Sequence, residues 1–177
     1  MQQQEMDAGT KRIFKVVAWI SFLTIVAVVV YGVVASVVTT GTGLAIGIAL
    51  VNIEWPLPFF AKPVSYFSVA SVALFYSGMR LWEARIAKWP RHVLTFLQLV
   101  GFVVAFASAY EVMYNFMIWG AFFSVDILQG VVNPSLISTG VPIPWNLDFA
   151  TKAFSALFVI SGYSVYYLRR LTQSEFI

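Results

Sequence analysis

Residues 13–38 read IFKVVAWISFLTIVAVVVYGVVASVV, a run whose only charge is Lys15 near its start. At about 1.5 Å per residue the run makes a helix of about 39 Å, enough to cross a hydrocarbon layer of about 30 Å with some tilt. A basic start followed by apolar residues and Val33-Val34-Ala35 imitates a secretory signal. The apolar stretch is too long for a signal core, so it reads as a retained helix. Three similar runs follow at 64–82, 93–124 and 149–168. The expected fold is therefore all-α: one integral membrane domain over 1–177, a bundle of four transmembrane helices.

Charge sets the expected orientation. Nine of the eleven Lys and Arg residues fall into three clusters beside the ends of these runs: Lys11, Arg12 and Lys15; Arg80, Arg85, Lys88 and Arg91; Arg169 and Arg170. Only Lys62 and Lys152 stand apart from them. Because Lys and Arg concentrate in short cytoplasmic flanks, both termini are expected in the cytoplasm and two loops outside. Both loops are rich in Pro and aromatics, as in Trp55-Pro56-Leu57-Pro58-Phe59 and Pro142-Ile143-Pro144-Trp145, which stiffens them and seats them at headgroup depth.

Composition agrees, since 60% hydrophobic and 11% charged residues leave too little polar surface for a water-soluble domain of this length. The net charge of +3 comes from the flanks and suits anionic membrane lipids, not nucleic acid. The chain has no cysteine, which removes disulfides, iron–sulfur clusters, thiolate zinc sites and cysteine nucleophiles together.

Walking outward, residues 1–10 read as a polar, frayed leader. Thr39 to Gly43 loosens the first helix, and residues 44–51, too short to cross again, are expected along or dipping into the interface. Trp89-Pro90 breaks the chain before the third run. That run would measure about 48 Å as a helix, so it must tilt strongly, kink or project. Ala73-Leu74-Phe75-Tyr76-Ser77-Gly78 loosely echoes Ala156-Leu157-Phe158-Val159-Ile160-Ser161-Gly162, so the two hairpins read either as parallel repeats or as apolar helices of like composition.

Few residues invite chemistry. The single histidine, His92, sits in a basic turn and lacks the partner a haem b site needs. No histidine–carboxylate cluster offers a zinc or copper site, and no nucleophile elbow, P-loop or dinucleotide loop occurs. The expected cofactor, metal and catalytic complement is therefore none. Glu111 is the sole carboxylate inside an apolar run, and with Tyr114 and Asn115 within one turn it forms an expected intramembrane polar cluster. Such a cluster either ties helices together or serves a proton or cation site. About 27 Å above Val93, it lies near the outer headgroups. Met113 and Met117 share a face and either fill packing or offer thioethers to Cu(I). Gly101, Ala105 and Ala109 form a small-residue stripe expected to mark a helix or subunit seam, with Gly43 and Gly47 a weaker instance.

The segment Tyr110-Glu111-Val112-Met113-Tyr114-Asn115-Phe116-Met117-Ile118-Trp119-Gly120-Ala121 resembles small membrane proteins of ammonia-oxidising archaea, some of which are accessory subunits of the copper ammonia monooxygenase. The resemblance implies a helical subunit packed beside catalytic subunits. It does not imply the copper-bearing subunit, whose spaced Asp and His ligands have no counterpart: His92 lies on the opposite side from Asp126 and Asp148.

The function expected is thus a non-catalytic accessory subunit whose partners are other integral membrane subunits of a hetero-oligomeric complex, together with membrane lipids. Two alternatives from other classes stand beside it. One is a small proton- or cation-conducting unit using Glu111. The other is an enzyme acting on lipid or quinone at the outer surface through Glu111, Asp126 or Asp148, for which no nucleophile–base pair is visible.

Overall fold

Asp7 decides where the first helix starts. Its carboxylate accepts hydrogen bonds from the Thr10 amide, at 2.9 Å, and from the Thr10 hydroxyl, which satisfies donors that a helix N-terminus leaves open. Helix α1 accordingly spans Ala8–Thr40, beginning within the segment the sequence suggests is frayed. It ends where Gly41 adopts φ +69° and its amide bonds back to the Val37 carbonyl, a left-handed conformation that glycine reaches without cost. The computed structural model describes residues 6–41, 46–52, 61–130 and 145–173. The stretches read as stiff outer loops, and Gly43 of the weaker small-residue pair, lie largely or wholly outside those residues.

Five further helices follow: α2 Ile46–Asn52, α3 Pro63–Leu81, α4 Glu83–Ile86, α5 Arg91–Leu128 and α6 Trp145–Gln173. All the regular structure among the described residues is helical. Pro63 occupies the first turn of α3, where its missing amide costs nothing. Pro90 immediately precedes α5 and separates it from the α4 turn. Helix α5 then runs 38 residues without a break, about 57 Å. Asp126 and the first turn of α6, placed in a loop by sequence, are helical.

The four long helices pack in a row, α1–α3–α6–α5: α1 against α3, α3 against α6, and α6 most extensively against α5. Among the described residues, helices α1 and α5 lie at the two ends of this row and have no extensive contact with each other. Helix α2 folds back on the first part of the row. Ile46 and Leu50 crowd Gly32 of α1, and Trp145 of α6 lies so near Gly47 that an added Cβ would meet the indole at 2.7 Å. Val28, Leu50, Val51 and Val64 form the small core there. At the opposite end Ile86, Leu94, Tyr167 and Leu168 form another.

Helices Ala8–Val38 and Arg91–Leu128 are long and apolar enough to cross a membrane. These are the two outer members of the row, and most of their apolar surface is uncovered: Trp19, Ile20, Phe102, Phe106 and Met117 are all exposed. The inner pair, α3 and α6, is more polar. Several of its serines bond within their own helix, Ser71 donating to the Phe67 carbonyl, Ser155 to Thr151 and Ser164 to Ile160, whereas the buried Ser77 hydroxyl has no partner among the described residues. Such bonding to the carbonyl four residues back is how a serine is kept satisfied where water is absent.

Candidate functional site

Where α3 and α6 begin, side by side and parallel, the two lysines outside the basic clusters meet one carboxylate. Asp148 accepts from Lys62 Nζ at 3.0 Å on Oδ2, and from Lys152 Nζ at 2.8 Å on Oδ1 and 3.1 Å on Oδ2. Asp148 and Lys152 are one turn apart on α6, a spacing that puts them on one face. Lys62 arrives from the residue before Pro63. The Asp148 side chain is 12% exposed and those of Lys62 and Lys152 34% and 28%. Partial burial acts to raise the Asp148 pKa, but hydrogen bonds from Lys152 and Lys62 and their charges outweigh it, holding the carboxyl below its usual value. Two ammonium groups against one carboxylate leave the cluster with a net charge of +1. Each ammonium has three donors, more than Asp148 engages.

Below this cluster the two helices diverge along one side and leave a groove of about 650 Å³. Ser68 stands at its head, its hydroxyl 2.9 Å from the Val64 carbonyl and 3.3 Å from that of Lys152 on the other helix. Val69, Val72, Ala73, Ala156, Val159 and Ile160 line its middle. Tyr76 and Tyr163 close its far end, ring centroids 4.9 Å apart. Beyond them Tyr163 packs on Tyr167, whose hydroxyl donates to the Met79 carbonyl, while Phe14 of α1 meets Tyr76 edge-on. Arg80 pairs with Glu83 at 2.9 Å and lies 5.9 Å over the Phe14 ring. The two sequence words that echo each other thus meet here: Ala73, Phe75 and Tyr76 from one, Ala156, Val159 and Ile160 from the other.

The α5–α6 seam holds the other candidates. Leu94, Ser108 and Asn115 are buried on α5, and with Gly101 they repeat every seven residues, the interval of a coiled-coil seam. A Cβ on Gly101 would sit 3.1 Å from Val165 and 3.8 Å from Ser164 of α6. Ala105 and Ala109 are only partly covered. Glu111 is half-buried on this side, between Ser108 and Asn115. Asn115 is 7% exposed and its Nδ2 has no hydrogen-bond partner among the described residues. Tyr114 does not join them: it is exposed and stacks on Tyr110 at 6.2 Å. The expected three-residue cluster therefore divides between two faces of the helix.

Met113 and Met117 are exposed and fill no packing gap among the described residues. His92 is exposed at the start of α5. No group of three potential metal ligands occurs among the described residues. Asp148 is engaged by two lysines in the first turn of α6, and Asp126 lies near the end of α5. The Lys62–Asp148–Lys152 cluster was missed by sequence, although its signal was available: of the two lysines that break the charge pattern, Lys62 flanks the start of one run and Lys152 lies just inside the start of another, and Asp148 precedes Lys152 by four. Comparison of the chain with protein-family models, with curated proteins and with solved structures finds no match.

Proposed function

We propose that the chain crosses a membrane four times with both termini in the cytoplasm, and serves as a non-catalytic accessory subunit of a larger membrane complex. The observation that carries this reading is the exposed apolar face of α5. Starting from the basic flank at Arg91, about 20 residues traverse about 30 Å of hydrocarbon. The helix therefore leaves the hydrocarbon near Glu111. Beyond that level Met113, Phe116, Met117, Phe122, Val125 and Leu128 remain exposed, Leu128 at 86%. Apolar surface of this extent facing water is costly and marks an interaction surface. Membrane subunits that rise beside α5 are the partners that would cover it.

Four spans are supported by the arrangement of the row. The less apolar α3 and α6 lie between α1 and α5, and both begin at the end marked by Lys62 and Asp148, while all three basic clusters flank the other end. Residues 110–121, which resemble the archaeal proteins, sit where α5 emerges. A place in a copper ammonia monooxygenase of that kind is the specific form of the proposal.

Mild-detergent extraction from native membranes, with a photo-crosslinking residue at Phe122 or Leu128, tests the reading. Defined membrane proteins should be captured at those positions and co-purify. A chain that purifies alone, with no crosslinked protein, would overturn it.

A second reading rests on Glu111, half-buried on the seam beside the unpartnered Asn115 amide. If Glu111 conducts protons or cations, the purified chain in vesicles should show flux that Glu111→Gln abolishes while leaving assembly intact, because an amide cannot cycle a proton. If Glu111 serves assembly, no such flux exists. Glu111→Gln then assembles normally, whereas Glu111→Leu weakens the complex.

A further inference from the structure

We infer that the α3–α6 groove is a binding site for one membrane lipid with an anionic headgroup, its phosphate held by Lys62 and Lys152 and one acyl chain lying down the groove to Tyr76 and Tyr163. The inference rests on the membrane reading above and not on the accessory-subunit reading.

Three features agree on this occupant. The first is length. From Ser65 to Tyr76 the groove follows α3 for about 16 Å, close to the depth of one leaflet, about half of a 30 Å hydrocarbon layer. The Tyr76–Tyr163 contact then closes it. The second is polarity. The middle of the groove is aliphatic, and the Ser68 and Ser155 hydroxyls towards its head are already bonded to carbonyls, so the stretch between the lysines and the tyrosines calls for an apolar occupant. A chain of methylenes meets that requirement. The third is charge, which appears only at the head. Asp148 neutralises one lysine and leaves a net +1, with ammonium donors to spare on side chains a quarter to a third exposed. Both α3 and α6 start at this end, so their positive helix termini add to the same field. A zwitterionic headgroup gains less from this arrangement than one with a net negative charge. Free phosphate would use the lysines and leave the groove empty.

Native mass spectrometry of the full chain, extracted from membranes and stripped of lipid, tests the site by titration with phosphatidylglycerol, with phosphatidylcholine of the same chains, and with inorganic phosphate. One phosphatidylglycerol should bind, at least about fivefold tighter than phosphatidylcholine. Lys62→Gln and Lys152→Gln should each weaken phosphatidylglycerol about fivefold and leave phosphatidylcholine unchanged. Ala156→Phe, which fills the groove, should weaken both lipids. Asp148→Asn raises the net charge to +2 and should strengthen phosphatidylglycerol, a direction that loss of structure cannot mimic. Equal affinity for the two lipids, phosphate binding that Ala156→Phe leaves untouched alongside unchanged lipid binding, or lipid retention indifferent to Lys62→Gln would each overturn the inference. Partition of the chain into the carbonate-resistant membrane fraction is measured on the same preparation. Absence from that fraction overturns the membrane reading itself, whereas presence there without lipid selectivity overturns only the site.

Discussion

The inner helices α3 and α6 and the outer helices α1 and α5 distribute polarity in the order opposite to that of a water-soluble protein. Most of the serines and tyrosines among the described residues, and the Lys62–Asp148–Lys152 cluster, lie on the inner pair, and the outer pair shows valine, phenylalanine and methionine to its surroundings. In water the hydrophobic effect would drive the outer pair inside. In hydrocarbon it does not act between helices, and what gathers them is close packing and polar contact. Small polar residues such as Ser77, Ser108 and Ser161 are buried beside the apolar clusters around Val64 and Leu94, while Trp19, Phe102 and Met117 face outward.

Phe102 and Gly101 put this contrast on adjacent residues of α5, and the largest expected effect is at the first. Phe102 is 60% exposed and lies about 16 Å above Arg91, near the middle of the proposed span. In water, Phe102→Asp would be nearly neutral. In a membrane it costs about 3 kcal/mol of insertion free energy, so the share of chains integrated in a translocation assay should fall sharply. Unchanged integration together with a stable soluble protein would break the inside-out ordering.

Gly101 faces α6, where a Cβ has 3.1 Å to Val165. Gly101→Leu forces the helices apart, and overpacking of this kind costs about 1–3 kcal/mol. Thermal unfolding in detergent should show a lower midpoint for this variant, while Phe102→Leu, one residue on, leaves it unmoved. Equal responses would mean that α5 does not use the seven-residue line as its seam.

Asp148 tests the polar contact between the inner helices. Asp148→Asn removes the charge that two lysines share, at a cost of about 1 kcal/mol, modest because water screens lysines this exposed. The folded carboxyl titrates below its usual range, so the unfolded chain binds more protons as the solution is acidified. Its contribution is therefore complete above the ordinary carboxylate value of about 3.9 and is lost as pH falls through the lowered folded value. Melting midpoints of wild type and Asp148→Asn should differ near neutrality and converge in strong acid. A gap that persists there would assign the loss to shape instead of charge.

Where helices form was legible in this sequence; which helices touch was not. Apolar runs and Pro90 place the α3–α5 region to within a few residues, because both act through local backbone physics. The starts at Ala8 and Trp145 were not foreseen. The first depends on one Asp7 carboxylate reaching Thr10; Trp145 is the first described residue of α6 and lies against Gly47 nearly a hundred residues away. Glu111 drew notice as a lone carboxylate in an apolar run. Asp148 stood out only as a carboxylate of the outer surface and not as a partner of lysines, since Lys62 lies 86 residues distant and only the parallel pairing of α3 and α6 joins them. Tyr114 was grouped with Glu111 by its distance along the helix, yet a separation of three residues permits a shared face without compelling a contact.

The smallest expected effect on the isolated chain is at Met117, and it sharpens the contrast most. Met117 is 71% exposed on α5 above the level where the proposed span ends. Surface substitutions of this kind change stability by no more than about 0.5 kcal/mol, so Met117→Ala in detergent should melt with the wild type. In the native membrane the same surface is proposed to lie against another subunit, and truncating a residue at the centre of such a contact costs about 1 kcal/mol or more of binding. Co-purification of partners, measured as the ratio of captured subunit to chain, should therefore fall for Met117→Ala, and further for Met113→Ala combined with it, while membrane integration stays constant. A change in the isolated melting midpoint would place Met117 inside a fold tighter than the row described. An unchanged partner ratio would remove this face of α5 from the interface and leave its exposed methionines to the lipid headgroups.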